Sequence, residues 1–284
     1  MPDECRWTTL GVRMRQVRRR PGELNWLFFP GGPGLGSESL TELVETVDVP
    51  GTSWLVDLPG DGSNVGAPGA PRNPYSLWPQ VLLEAVAAVP QPVCVGHAAG
   101  GEHLLSVSEL EGYLRGLVLI SAAPDAGWMP AFSTMTQDNP LPEAAAATDR
   151  YNRQPGDDTL RDLAVASAPW NFTAQGLAAG RDLLSRLPYN SAAVEWSSAH
   201  VDRTYVSAWW PENLPTLILS GQDDRTVTQD LWADPHYRAD HVLHHQIPAA
   251  AHFPWIEQPD AVRAAFAEFT AALADPATPV GARN

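Results

Sequence analysis

The sequence predicts an α/β protein: a mostly parallel central sheet flanked by helices, with a helical segment inserted late in the sheet. Three observations carry this. Short apolar runs (Leu24 to Phe29, Val93 to Val95, Leu117 to Ile120) alternate with stretches of amphipathic helical pattern. Strands apolar on both faces belong to a parallel sheet covered by helices on each side. From Pro124 to Glu212 the strand pattern stops, and helix-like stretches follow one another, rich in Trp128, Trp170, Phe172, Trp196, Trp209 and Trp210. Strands then resume at Thr216 to Leu219 and at Val242 to Ile247. The expected organisation is a core of residues 1–123 and 213–284, with a helical cap, 124–212, inserted after the sixth strand.

Each element has a local reason. Arg13, Arg15 and Val17 to Arg20 alternate as a half-exposed strand does, which makes the arginines a solvated face or an anion patch. Leu24 to Phe29 is a buried strand, stopped by Pro30-Gly31-Gly32-Pro33-Gly34. A helix is expected from Ser37 to Val47. The strand Ser53 to Asp57 ends in the turn Leu58-Pro59-Gly60-Asp61-Gly62. Tyr75 to Val89 is helical in pattern; after the strand Val93 to Val95, another helix runs to about Ser108. In the cap, Thr159 to Ser167, Thr173 to Leu187 and Ser191 to His200 read as helices. A last helix spans Pro259 to Leu273, and the tail from Asp275 to Asn284 reads as disordered.

Composition bounds the function. The chain has 284 residues, 44% of them hydrophobic, which suits one large domain with an insertion. Its formal charge is −15, and its 18 basic residues are all arginine. Without lysine there is no Schiff base, no phosphate-loop lysine and no Ser-Lys dyad. The acidic balance argues against nucleic acid or an anionic membrane as partner. Cys5 and Cys94 make no disulfide framework. No apolar run reaches membrane-spanning length and no basic-then-apolar leader opens the chain. The expectation is a soluble cytoplasmic protein acting on a small molecule, with no metal or organic cofactor; a homo-oligomer stays open.

Four features carry chemistry. Gly96-His97-Ala98-Ala99-Gly100 follows an apolar run and has the form of a nucleophile elbow, G-x-S-x-G, with alanine in place of serine. Leu219 to Val227 is a strand followed by a turn containing Asp223 and Asp224. Ile247 to Trp255 is a strand followed by His252. The glycine-rich loop Pro30 to Gly34 is the fourth. All lie at carboxyl ends of expected strands, where open α/β sheets bind ligands. His241, His244 and His245 alternate along a strand with no Cys or carboxylate cluster, so a metal site is not expected.

Together with Asp57 to Gly62 and Ala251-His252-Phe253-Pro254-Trp255-Ile256-Glu257-Gln258-Pro259, these motifs make the chain resemble the α/β-hydrolase fold superfamily. The resemblance spans nearly the whole chain and leans toward the proline iminopeptidase and C–C hydrolase branch. It implies His252 as general base, Asp224 as the acid that orients it, position 98 as the nucleophile site, and the amides of Gly32 and Ala99 as oxyanion hole. Asp223 and Asp125 are reserve acids. His97 is expected to pack beneath the elbow. Trp128, Trp170 and Trp196 of the cap, with Phe253, are candidate substrate contacts lining an apolar pocket. Proline iminopeptidases hold a substrate amine with cap carboxylates; Glu195 could be one, but it has no evident partner, which argues against aminopeptidase activity. Pro30 stands where the family usually has histidine, and Ala251 where glycine is common.

Ala98 admits three readings. It is an engineered replacement of serine in a hydrolase for a small to medium apolar ester, amide or related acyl compound. Or it is natural, and the His252–Asp224 dyad acts as a base in a dioxygenase- or lyase-like reaction. Or the chain is a ligand-binding pseudoenzyme.

Overall fold

The computed structural model describes residues 4–274. Up to the end of the sixth strand the chain forms β1 (Cys5–Trp7), β2 (Arg13–Arg19), β3 (Asn25–Phe29), α1 (Thr41–Thr46), β4 (Thr52–Asp57), α2 (Trp78–Ala87), β5 (Pro92–His97), α3 (Ala99–Leu105) and β6 (Gly116–Ile120). The helices α4 (Trp128–Asp138), α5 (Pro142–Arg153), α6 (Asp157–Ala166), α7 (Ala168–Asn171), α8 (Leu177–Ser185) and α9 (Ser191–His200) follow without a strand among them. Then come β7 (Thr216–Gly221), β8 (Val242–Ile247), α10 (Pro254–Glu257) and α11 (Pro259–Ala274). The eight strands form one sheet in the order β1-β2-β4-β3-β5-β6-β7-β8. β1 and β2 run antiparallel to their neighbours, and the other six are parallel.

The period of two that defines a strand splits the core into two layers. Trp26, Phe28, Val93, Val95, Val118 and Ile120 join one buried cluster, with Leu43 of α1 and Phe266 and Phe269 of α11. Leu27, Phe29, Cys94, Leu117 and Leu119 join the other, with Leu82 of α2 and Leu104 of α3. This is why β3, β5 and β6 are apolar at nearly every position. The crossover from β3 to β5 passes through β4, which leaves β5 at the centre and its carboxyl end in the middle of the crevice.

Three helices differ from the sequence expectation. The stretch from Ser37 is a short 3₁₀ turn, Ser37–Leu40, before α1 begins. The helix expected from Thr173 begins only at Leu177, because Glu257 accepts hydrogen bonds from the Thr173 amide (2.8 Å) and hydroxyl (2.6 Å) and holds a turn there. The helix after β5 ends at Leu105. Sequence periodicity also misses α4 and α5. α5 buries only Ala144 and Ala147, so it stands on alanine's helix propensity and presents no apolar stripe to read. The segment from 275 onward lies outside the described residues.

The strand arginines are spent on acids and carbonyls. Arg13 and Arg15 both pair with Asp57 Oδ2 (2.9 and 3.2 Å) and with Glu38, while Arg18 donates to the carbonyls of Val44 and Val47 at the end of α1. Asp57 Oδ1 accepts from the Ser37 amide at 2.7 Å, and Asp61 Oδ1 from the Gly34 amide at 2.8 Å. Two buried carboxylates thus fasten the far end of the glycine-rich loop and the turn that follows it.

Candidate active site

β5 ends at His97 and α3 begins at Ala99, so Ala98 alone makes the turn, at φ 46° and ψ −122°. A residue with a Cβ rarely adopts that conformation, and holding it costs on the order of 1–3 kcal/mol. Its surroundings force it. A Cβ at Gly96 would lie 2.5 Å from the Gly101 amide nitrogen, and one at Gly100 2.5 Å from the carbonyls of Phe29 and Pro30. A Cβ at Gly31 would lie 3.0 Å from that of Ala98. Strand and helix therefore meet at backbone contact. Ala98→Gly is expected to raise the unfolding free energy by about 1 kcal/mol, as relieved strain outweighs glycine's ~0.5–1 kcal/mol entropy cost. Urea denaturation measures it, and a less stable glycine variant would mean that the turn is unstrained.

The acid and the imidazole meet. His252 Nδ1 lies 2.9 Å from Asp224 Oδ2; the two side chains are 7% and 0% exposed. Asp224 Oδ1 accepts from the amides of Thr226 (2.8 Å) and Val227 (3.0 Å), which fixes the carboxylate plane. The neighbouring Asp223 is exposed. Asp125 Oδ1 accepts from the Gly127 amide, and the imidazole's carboxylate partner is Asp224. The His252 loop is pinned on two sides. Its amide donates to Asn171 O of α7, and the preceding Ala251 amide donates to Glu257 Oε2 at 2.7 Å. Nε2 is the nitrogen not engaged by Asp224.

His97 sits under this pair. Its Nε2 lies 3.0 Å from the His252 carbonyl, which can only accept, so the proton is on Nε2. Burial, together with the nearby His252, holds His97 well below the ordinary imidazole range and keeps it neutral. Its Nδ1 is buried with no partner among the described residues.

A cavity of about 230 Å³ lies over the elbow, lined by Gly32, Ala98, Ala99 and His252 among others. Ala99 opens α3, so its amide lacks an intrahelical acceptor. Trp128 and Phe253 line the cavity as well. Trp170 and Trp196 do not. Trp170 bonds Asn139 O through its indole and packs edge-on to Phe132, and Trp196 stacks on His200 and leans on Tyr75 and Trp78, seating the cap on the core. Glu195 is exposed on α9. The cavity instead holds two acids that sequence reasoning passes over, Glu102 of α3 and Asp202 after α9. The signal for Glu102 was its spacing: it lies one helical turn beyond Ala98, on the same face. His241, His244 and His245 go to three separate partners: Pro211 O, Tyr237 O and Glu268.

Burial sets the electrostatics. It pushes Glu102 up to about 8, with the charge of Asp202 adding to it, and Asp61 up to about 7, with Asp57 adding. It pulls His103 down to about 4. The buried imidazoles weaken the fold only below their unfolded value of 6.5, where the unfolded chain takes up protons that the folded chain refuses. The two carboxyls act oppositely: their contribution is complete below the unfolded values of 3.8 and 4.5 and is lost as pH rises through about 7 and about 8. Above pH 6.5 only the carboxyl effect remains, so stability is expected to fall from there to pH 8. Glu102→Gln should flatten the upper part of that fall. Urea midpoints across the range test this, and a level profile would refute it.

A parallel sheet with a strained strand-to-helix elbow on its central strand, and an acid and imidazole paired beyond the next strands, defines a hydrolase-type α/β protein. Comparison with known sequences agrees: the chain belongs to the alpha/beta hydrolase family, whose model matches residues 26–265. Among curated proteins it is similar to a pimeloyl-[acyl-carrier protein] methyl ester esterase of Xylella fastidiosa (strain M12), 36% identical over 93 residues. That match spans 33% of this chain and 34% of the esterase, about a third of each. Among solved structures, a proline iminopeptidase-related protein from Thermus thermophilus superposes with a TM-score of 0.69 at 20% identity, over 96% of this chain and 99% of that one. A thermophilic esterase from Thermogutta terrifontis superposes with a TM-score of 0.60 at 17% identity, over 97% and 100%. These likenesses establish the fold. Among the described residues no helix is long and apolar enough to cross a membrane.

Proposed function

We propose that the chain is a cofactor-free enzyme in which the His252–Asp224 dyad acts directly as a general base on a small, largely apolar carbonyl compound. One observation carries the reading. The dyad is closed at 2.9 Å and buried, in a cavity whose elbow position bears a methyl group. With no hydroxyl at position 98 to deprotonate, the proton within reach of Nε2 belongs to the substrate or to water. His252 removes it from the carbon beside the carbonyl, and the electron pair moves onto the carbonyl oxygen. The amides of Gly32 and Ala99 hold that oxyanion, since backbone donors do not depend on the side chain at position 98. Asp224 keeps Nδ1 protonated and steadies the imidazolium. The cavity is smaller than the ~300–1,000 Å³ of drug-sized pockets, which suits a compact substrate.

Hydrogen–deuterium exchange at the α-carbon of phenylacetone, followed by proton NMR, tests this. The chain is expected to accelerate exchange, and His252→Ala to abolish the acceleration. Exchange that survives in His252→Ala would sink the reading. A second reading is that the site is an esterase lacking only its attacking oxygen. The backbone of Ala98, kept in the strained conformation an exposed nucleophile needs, supports it. So does the similarity to an esterase of methyl esters.

A further inference from the structure

We infer that Glu102 is the proton donor of this cavity, protonating the oxygen that leaves a β-hydroxy carbonyl substrate while His252 takes the α-proton. The inference rests on the reading of His252 as a base and goes beyond it, from proton abstraction to elimination of water.

The geometry comes first. The Glu102 amide donates to Ala98 O at 3.2 Å, so Glu102 stands one turn along α3 from the elbow, and its side chain lines the same cavity as His252 and Ala98. The groups facing it from the cap are chiefly acidic or neutral. Asp202 follows α9, its Oδ1 accepting from Ser197 Oγ at 2.5 Å; Asp125 follows β6; Trp128 comes from α4, and Tyr205 lies close by. On α3 itself, His103 packs edge-on against Trp78 and is held neutral. Arginine does not contribute to the cavity lining. A carboxyl group here has no cation to hold it ionised, and an adjacent carboxylate disfavours its charge. It therefore carries a proton at neutral pH, as a general acid must.

A second observation points to a polar ligand. Nδ1 of His97, a residue only 1% exposed, is buried without a hydrogen-bond partner among the described residues, and its side chain lines this cavity. The indole nitrogen of Trp128 lies against the Glu102 carboxyl, where it favours the ionised form without outweighing burial. Buried polar atoms are rarely left unpaired unless a ligand or ordered water completes them.

The step balances. The Cα–H bond breaks, its proton goes to His252 Nε2, and its electron pair becomes the Cα=Cβ bond. The Cβ–O bond breaks with its pair on oxygen, which takes the Glu102 proton and departs as water. Loss of the His252 proton to solvent and uptake of one by Glu102 restore the site. No oxidant or reductant is required.

The test uses two probes on the full chain: phenylacetone for α-exchange, and the β-hydroxy ketone made from benzaldehyde and acetone, whose dehydration appears in the near ultraviolet. The unaltered chain is expected to do both, and His252→Ala neither. Glu102→Gln should lower dehydration roughly 10²-fold or more beyond whatever it does to exchange. Asp202→Asn, which removes a charge that adds to burial in keeping Glu102 protonated, should move the alkaline limb of the dehydration profile to lower pH. The infrared absorption of protonated carboxyls at neutral pH should lose one component in Glu102→Gln and keep that of Asp61. Dehydration at an unchanged rate in Glu102→Gln, or exchange without dehydration in the unaltered chain, overturns the assignment. No exchange in the unaltered chain overturns the base reading, and this inference with it.

Discussion

Ala98→Ser is expected to give burst-phase hydrolysis of nitrophenyl acetate or butyrate, with turnover roughly 10³-fold or more above that of the chain as it stands. Removing the nucleophile of a serine triad lowers turnover roughly 10⁶-fold, while the oxyanion hole and binding retain ~10³–10⁴-fold over water. Here the retained parts are built. Ala98 already holds the strained turn at the cavity, so a hydroxyl added at its Cβ needs no new backbone conformation. Gly31, Gly96 and Gly100 already supply the clearance. His252 is oriented, and the first turn of α3 lines the cavity. A serine variant inert toward every acyl length would show that these donors do not meet an acyl oxyanion, and the esterase reading would end there.

Asp224→Asn should cancel that gained activity, returning turnover to about the level of the unaltered chain, without unfolding the chain. Oδ1 of Asp224 accepts from two backbone amides, so an asparagine oxygen takes the same place. Its NH₂ group then faces His252 Nδ1. Two donors cannot share one bond, so Nδ1 must give up its proton, and the proton moves to Nε2. The nitrogen that should accept a proton has become a donor. Measured in the Ala98→Ser background, the burst should disappear while the urea midpoint moves little. The same substitution in the unaltered chain should slow phenylacetone exchange for the same reason. A burst of undiminished size would mean that Asp224 is a turn residue and nothing more.

Much of this site is legible in the sequence, because its parts are local. The elbow is five consecutive residues after an apolar run. Asp224 and His252 each follow a strand by a few residues, and a strand's carboxyl end is a defined place in a parallel sheet. What sequence does not disclose depends on contacts between distant segments. Asp202 reaches Glu102 from the far end of the cap, and nothing near either residue announces the other. Glu257 reads as part of the histidine motif, yet its two oxygens join Thr173 to Ala251. Trp170 and Trp196 are the same residue type as Trp128; only the path of the chain decides that Trp170 packs within the inserted helices, Trp196 against the core and Trp128 along the cavity.

The fastening of α7 has a consequence for how anything enters. Asn171 accepts from the His252 amide and bonds Thr226, and Thr173 is held by Glu257, so this corner of the roof is tied to both loops that carry the acid and the imidazole. Lifting it would dismantle the dyad. α4, by contrast, buries no residue fully. If part of the roof moves to admit a molecule, it is α4 or α6, which likewise buries no residue fully, while the α7 corner stays anchored.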